Sequence, residues 1–83
     1  MDILSAIGNT PIVELKKLNP NPNVKVFCKL EGNNPGGSVK DRPASYMIKK
    51  AIESGELTKD KTIIEATSGN TGIGLSWIAS VLV

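Results

Sequence analysis

Before residue 31, apolar residues fall in short runs, and this pattern is typical of β-strands rather than helices. Residues 12–15 and 24–30 are each predicted to form a strand, and a turn-forming cluster of Asn and Pro separates them at residues 19–23. A third apolar run predicts another strand at residues 62–66. At the start of the chain, residues 2–7 predict a short helical turn closed by Gly8.

Helical spacing follows a Gly-rich stretch at residues 32–38. Pro43 is tolerated only in the first turn of a helix, so a helix is predicted to begin near Lys40 or Asp41. Gly55 is placed to end it. The apolar face of this helix is predicted to contain Ala44, Met47, Ile48, Ala51 and Ile52.

The last segment, residues 72–83, is apolar on nearly every side, and a helix of that kind needs cover all round. The order of strand, helix, strand and helix from Val24 onward predicts an α/β fold with parallel winding. The chain stops at Val83 without a capping residue or a charged final turn, so we expect it to end in the middle of a fold.

Composition narrows the function classes. The 83 residues carry a net charge of +2 without a basic stripe, which makes nucleic acid an improbable partner. With no histidine and Cys28 as the only cysteine, a structural zinc site cannot be assembled, and we expect Cys28 to be a small buried side chain. No membrane span or secretion signal is recognisable, so a cytoplasmic location is expected.

The first candidate site is the Gly-rich loop at residues 34–39, which brings Lys40 to the start of a helix. The positive end of the helix dipole favours the neutral amine that imine chemistry requires. A solvated surface lysine after a flexible turn is the alternative. A Walker loop is excluded, because Asp41 stands where that motif needs Ser or Thr.

The second candidate site is the loop at residues 67–71, which is rich in hydroxyl and amide groups and opens the last helix. Side-chain donors and the first helical N–H groups together favour a carboxylate or phosphate ligand. Simple helix capping by Asn70 or Thr71 is the alternative. Residues 67–74 also nearly match the nucleotide loop of short-chain dehydrogenases, but that motif usually follows the first strand of its fold.

Taken together, the two loops resemble those of cysteine synthases, which are pyridoxal 5′-phosphate (PLP) enzymes. The similar segments have the same order and spacing in that family. They are IGNTP at residues 7–11, KLEGNNPGGSVKDR at residues 29–42 and EATSGNTG at residues 65–72. The run of Gly-Asn-Asn-Pro beside Asp-Arg-Pro-Ala is most similar to the B-type and O-phosphoserine-using branches.

The resemblance implies the three-layer α/β/α architecture of fold type II PLP enzymes, the tryptophan synthase β-like fold. It makes Lys40 the lysine that forms a Schiff base with PLP, and Asn70 the partner of the cofactor's 3′ oxygen. Asp41 and Arg42 then have structural roles. The loop that binds the substrate carboxylate would consist of Thr67, Ser68, Gly69 and Thr71.

The implied reaction is a PLP-dependent β-replacement in which an activated serine, O-acetylserine or O-phosphoserine, reacts with sulfide to give cysteine. Val39 before the lysine favours sulfhydrylases, because threonine synthases and dehydratases resemble Ser-Phe-Lys at that point. A cystathionine β-synthase-like enzyme and a non-catalytic truncated remnant are the alternatives. No metal is implied.

Enzymes of this family are several times longer than this chain. We therefore expect an N-terminal portion, in which residues 1–35 begin the larger domain and residues 36–83 begin the smaller, substrate-loop domain. The cradle for the cofactor phosphate would then lie outside it. The resemblance also implies small-molecule substrates and a homodimer for the full-length enzyme.

Overall fold

The computed structural model describes residues 2–83 and contains two strands and two α-helices. The strands are β1, Ile12–Glu14, and β2, Phe27–Lys29; the helices are α1, Asp41–Ser54, and α2, Asn70–Leu82. Short 3-10 turns occupy Leu4–Ala6 and Glu31–Asn33. The predicted helical turn at the start of the chain is thus confirmed, with Gly8 after it at a φ of 83°.

Strands β1 and β2 pair antiparallel, and Val13 lies opposite Cys28 in the register. One further backbone bond extends the pairing at either end, from Leu15 N–H to the Val26 carbonyl and from Leu30 N–H to the Pro11 carbonyl, each at 2.8 Å. β2 is shorter than the predicted strand at residues 24–30, because the ladder ends where β1 ends. Cys28 is half-buried rather than buried.

Helix α1 follows the sequence prediction at both ends. It begins at Asp41, with Pro43 in its first turn, where a backbone N–H would form no hydrogen bond within the helix. It ends at Ser54, and Gly55 adopts the left-handed conformation at a φ of 81°. The Gly55 N–H donates to the Ile52 carbonyl at 3.2 Å, which closes the last turn.

A small core lies between α1 and α2. It consists of Ala44, Ile48, Leu75 and Ile78. The helices run in the same direction, because Gly74 of α2 contacts the start of α1 while Ile52 and Leu82 line a common cavity at the other end. The far side of α2 stays exposed at Ile73 and Val81, so the helix is covered on one side only by residues 2–83.

The predicted third strand at residues 62–66 is wrong for this structure, in which residues 61–67 have no regular secondary structure. A strand needs hydrogen bonds to a neighbour, and β1 and β2 pair only with each other within residues 2–83. Ile64 is 89% exposed as a result. The parallel strand-helix-strand unit predicted from Val24 onward is therefore absent from the described residues.

The described part of the chain was also searched for membrane-spanning segments. Over residues 2–83, neither α-helix has the length and the apolar character that crossing a membrane would take.

Candidate active site

Lys40 lies where the Gly-rich loop meets helix α1. Its backbone occupies the capping position before Asp41, and its N–H donates to Ser38 Oγ at 3.2 Å. The side chain is exposed. The predicted position of the lysine at a loop-to-helix junction is confirmed, and its amine is accessible to a ligand.

Hydrogen bonds from a buried asparagine shape the loop before Lys40. Asn34 is 3% exposed, and its Oδ1 accepts the Gly8 N–H at 2.7 Å. Its amide nitrogen donates to the Glu31 carbonyl at 2.8 Å, and its own carbonyl accepts the Gly37 N–H at 2.8 Å. The loop is thus tied to the start of the chain, which limits how far Lys40 can move.

A second polar cluster joins the segment before the loop to helix α1. Arg42 Nε donates to Glu31 Oε1 at 2.5 Å, and the Thr10 hydroxyl donates to the other oxygen of the same carboxylate. These bonds, with a further one from Asn34, lower the pKa of Glu31 from 4.5 to about 2. Arg42 therefore has the structural role that the family resemblance implied, and Glu31 is a partner that sequence reasoning missed.

Asp41 is the most deeply buried charged residue in the described part of the chain, at 1% exposed. Its Oδ2 accepts the Gly36 N–H at 2.5 Å, and its Oδ1 accepts the Trp77 Nε1–H at 3.0 Å. Sequence reasoning assigned Asp41 a structural role but gave no sign of Trp77, because 36 positions separate the two residues. The contact joins the Gly-rich loop at residues 34–39, called the lysine loop below, to helix α2.

The second loop is organised by Thr67. Its hydroxyl oxygen accepts the N–H groups of Gly69 and Gly72, at 3.1 and 3.2 Å. The N-cap residue of helix α2 is Gly69, and the side chain that accepts a first-turn N–H is that of Thr67, so the predicted alternative of capping by Asn70 or Thr71 is not formed. No strand precedes this loop at residues 61–67, so the strand-to-loop context of a dehydrogenase nucleotide motif is missing as well.

Several donors of this loop are unused within residues 2–83. The backbone N–H groups of Asn70 and Thr71 donate to no protein acceptor there, and the side chains of Ser68 and Asn70 form no hydrogen bond. N–H groups at a helix N-terminus attract anions through their direction and through the helix dipole. The loop therefore has donors that a carboxylate or a phosphate could use.

The two loops lie side by side because helices α1 and α2 approach closely at a glycine. A Cβ on Gly74 would lie 3.1 Å from the Ala44 Cβ and 3.3 Å from the Lys40 carbonyl oxygen. Gly74 is about one helical turn beyond Asn70. The backbone of Lys40 and the donors of the second loop therefore share one end of the helix pair.

These residues fit PLP in their chemistry. The accessible amine of Lys40 is the group an aldehyde cofactor needs for attachment, and the Asn70 amide is free for a ring oxygen. The unused N–H groups of Asn70 and Thr71 suit the carboxylate of an amino-acid substrate.

Comparison with known proteins identifies the class. Residues 3–82 match the family model described as pyridoxal-phosphate dependent enzyme, and the chain belongs to this family. Within it, the chain is 55% identical over 75 residues to cysteine synthase B of Salmonella typhimurium. That match covers 90% of this chain and 25% of the relative, so the chain spans a quarter of that enzyme's length.

Solved structures agree with the sequence comparison. O-acetylserine sulfhydrylase isoform 3 from Entamoeba histolytica superposes with a TM-score of 0.90 at 48% identity, over 98% of this chain and 25% of that one. An O-acetylserine-dependent cystathionine β-synthase from Helicobacter pylori gives 0.88 at 46% identity, over 95% and 26%. The predicted family and its fold type II architecture are confirmed.

Proposed function

We propose that the intact protein is a PLP-dependent cysteine synthase, which replaces the leaving group of an activated serine by sulfide. The observation that carries the proposal is the placement of an accessible lysine, Lys40, beside a helix N-terminus with unused N–H donors. The similarity to cysteine synthase B supports the same reaction. A homodimer stays a prediction for the intact enzyme.

In this proposal, Lys40 has two tasks at one place. Its amine would attach the cofactor and, once the substrate's own amine had displaced it, would take the proton from the substrate Cα as general base. PLP, when bound, supplies the electron sink for loss of that proton and of the β substituent.

The loop at residues 67–71 orients the amino acid. The N–H groups of Asn70 and Thr71 and the hydroxyl of Ser68 are the proposed donors to its carboxylate. Thr67 holds the loop through its oxygen and keeps its own hydroxyl hydrogen for donation. The Asn70 side chain is proposed to contact the cofactor ring. Binding the carboxylate at a fixed place would limit the orientations of the amino acid relative to Lys40.

The decisive assay supplies the intact protein with PLP, sulfide and either O-acetylserine or O-phosphoserine, and measures cysteine. We expect turnover with one of the two serine esters, and loss of turnover in Lys40→Ala. Lys49→Ala is the matched control, because Lys49 is also exposed on α1 but lies more than two turns from the loop. Equal activity in Lys40→Ala would contradict the proposal.

Cystathionine synthesis is the second candidate, favoured by the structural similarity to the Helicobacter pylori enzyme. It uses the same lysine and carboxylate loop but takes a thiol-bearing amino acid in place of sulfide. Homocysteine in place of sulfide in the same assay separates the two. If product forms with homocysteine but not with sulfide, cystathionine synthesis is the function and cysteine synthesis is not. If no product forms with either acceptor, the chain is non-catalytic.

A further inference from the structure

Asp41 is a buried carboxylate next to Lys40 in sequence, and the proposed reaction gives it no task. Its two oxygens accept hydrogen bonds from different parts of the chain, the Gly36 N–H and the Trp77 indole N–H. One side chain therefore joins the lysine loop, the first turn of α1 and helix α2. Burying a carboxylate is unfavourable unless its oxygens accept hydrogen bonds, and both oxygens of Asp41 do.

In the Gly-rich loop, Gly36 lies too close to Asp41 and Trp77 for any residue except glycine. A Cβ at Gly36 would lie 2.6 Å from Trp77 Nε1 and 2.9 Å from Asp41 Oδ2. Gly36 precedes Lys40 by four positions, and Asp41 follows it directly. The Asp41 carboxylate therefore holds both ends of the short segment that carries the lysine.

On the helix side, the Trp77 indole N–H connects Asp41 to the helix that follows the second loop. Trp77 is on α2, the helix that begins with Asn70 and Thr71. One turn before Trp77, Gly74 packs against the Lys40 carbonyl. Movement of α2 relative to Lys40 would have to break the Asp41–Trp77 bond in a part-buried setting.

We infer that Asp41 is a positioning residue, whose buried carboxylate holds the Lys40 backbone at a fixed place relative to the loop at residues 67–71. The inference rests on the proposed function for what Lys40 does there. It predicts that disturbing the carboxylate harms the reaction of Lys40 with PLP, although Asp41 itself contacts neither cofactor nor substrate.

Asp41→Asn tests the inference with almost no change of shape. One carboxylate oxygen becomes an NH₂ group, which faces a second donor, either the Gly36 N–H or the Trp77 N–H. Trp77→Phe removes the indole donor. In the Trp77→Phe background, the amide introduced by Asp41→Asn can turn its oxygen toward the Gly36 N–H without placing its NH₂ group against another donor. The effect of Asp41→Asn should therefore be smaller there, and a double-mutant cycle measures the difference.

Two readouts are taken on the intact protein. The first is amide hydrogen exchange at residues 36–40 without PLP, and the second is the rate at which added PLP forms a borohydride-reducible adduct on Lys40. We expect Asp41→Asn to raise the exchange rate about tenfold and to slow adduct formation about tenfold, as loss of a hydrogen bond to a charged group predicts. In the Trp77→Phe background both effects should fall to about threefold or less.

Ile48→Val is the stability control, because Ile48 is buried in the same helix but lies two turns beyond Asp41. It should lower the melting temperature and leave both readouts unchanged. If Asp41→Asn fails to fold, Trp77→Phe alone, which keeps the carboxylate, should shift both readouts in the same direction by a smaller factor. Ile48→Val reproducing both shifts would overturn the inference.

The two readouts distinguish failure of the inference about Asp41 from failure of the proposed function. Unchanged exchange at residues 36–40 in Asp41→Asn overturns the inference. Raised exchange with an unchanged adduct rate also overturns it and leaves the proposed function standing. If the wild-type protein forms no adduct on Lys40, the proposed function fails, and exchange alone decides whether Asp41 holds the Lys40 backbone.

Discussion

Thr67 and Ser68 are neighbours in one loop, yet the structure predicts different effects on stability for removing their hydroxyl groups. The Thr67 oxygen accepts two backbone N–H groups, whereas the Ser68 hydroxyl has no hydrogen-bond partner within residues 2–83. Thr67→Val removes that oxygen and keeps the side-chain volume. Ser68→Ala removes a hydroxyl that only a ligand would use.

The magnitudes follow from the contacts. A net hydrogen bond is worth about 1 kcal/mol, so two bonds at Thr67 set an upper value of about 2 kcal/mol. The Gly69 N–H in the loop and the Gly72 N–H in the first turn of α2 both lie near solvent and regain water, so we expect a loss of about 1 kcal/mol. For Ser68→Ala, losing a hydrogen bond to a charged carboxylate costs about 1.5–3 kcal/mol, or roughly tenfold or more in kcat/KM.

Urea unfolding and steady-state kinetics with the amino-acid substrate measure the two effects on the intact protein. Thr67→Val should lose stability, while Ser68→Ala should stay within about 0.5 kcal/mol of wild type and lose activity. Unchanged kinetics in Ser68→Ala would show that its hydroxyl does not bind the carboxylate. Unchanged stability in Thr67→Val would refute the hydrogen bonding at Thr67.

Two further outcomes test the packing and the polar cluster. Because the folded pKa of Glu31 is about 2 against an ordinary 4.5, its carboxylate stabilises the fold above pH 4.5. That stability is lost as the pH falls from 4.5 toward 2, so the melting temperatures of wild type and Glu31→Gln should converge over that window. Ile78→Ala, at a fully buried site, should cost about 2–5 kcal/mol in urea unfolding.

Local signals made helix α1 predictable. Pro43 limits where the helix can begin, and Gly55 marks its end. Of the predicted apolar face, Ala44 and Ile48 are buried, whereas Met47 and Ile52 are exposed within residues 2–83. The position of Lys40 at the helix start follows from the same signals. Taken singly, the lysine loop and the second loop each left a structural alternative open, and their resemblance to the loops of cysteine synthases made them candidate site residues.

Features that depend on distant residues were not predictable in the same way. Residues 62–66 have the composition of a strand, but a strand forms only beside another, and no neighbour pairs with them within residues 2–83. The contact of Asp41 with Trp77 spans 36 positions and the ion pair of Glu31 with Arg42 spans 11, so neither lies within one helix or strand. Nothing in the local pattern indicates either pair.

The most direct test of the central claim is to locate the lysine that binds the cofactor. The intact protein is incubated with PLP, reduced with borohydride and digested, and the modified peptide is identified by mass spectrometry. We expect one reduced PLP adduct, on Lys40, that disappears in Lys40→Ala and persists in Lys49→Ala. An adduct of unchanged stoichiometry in Lys40→Ala, or one located on another lysine, would contradict the proposed role of Lys40.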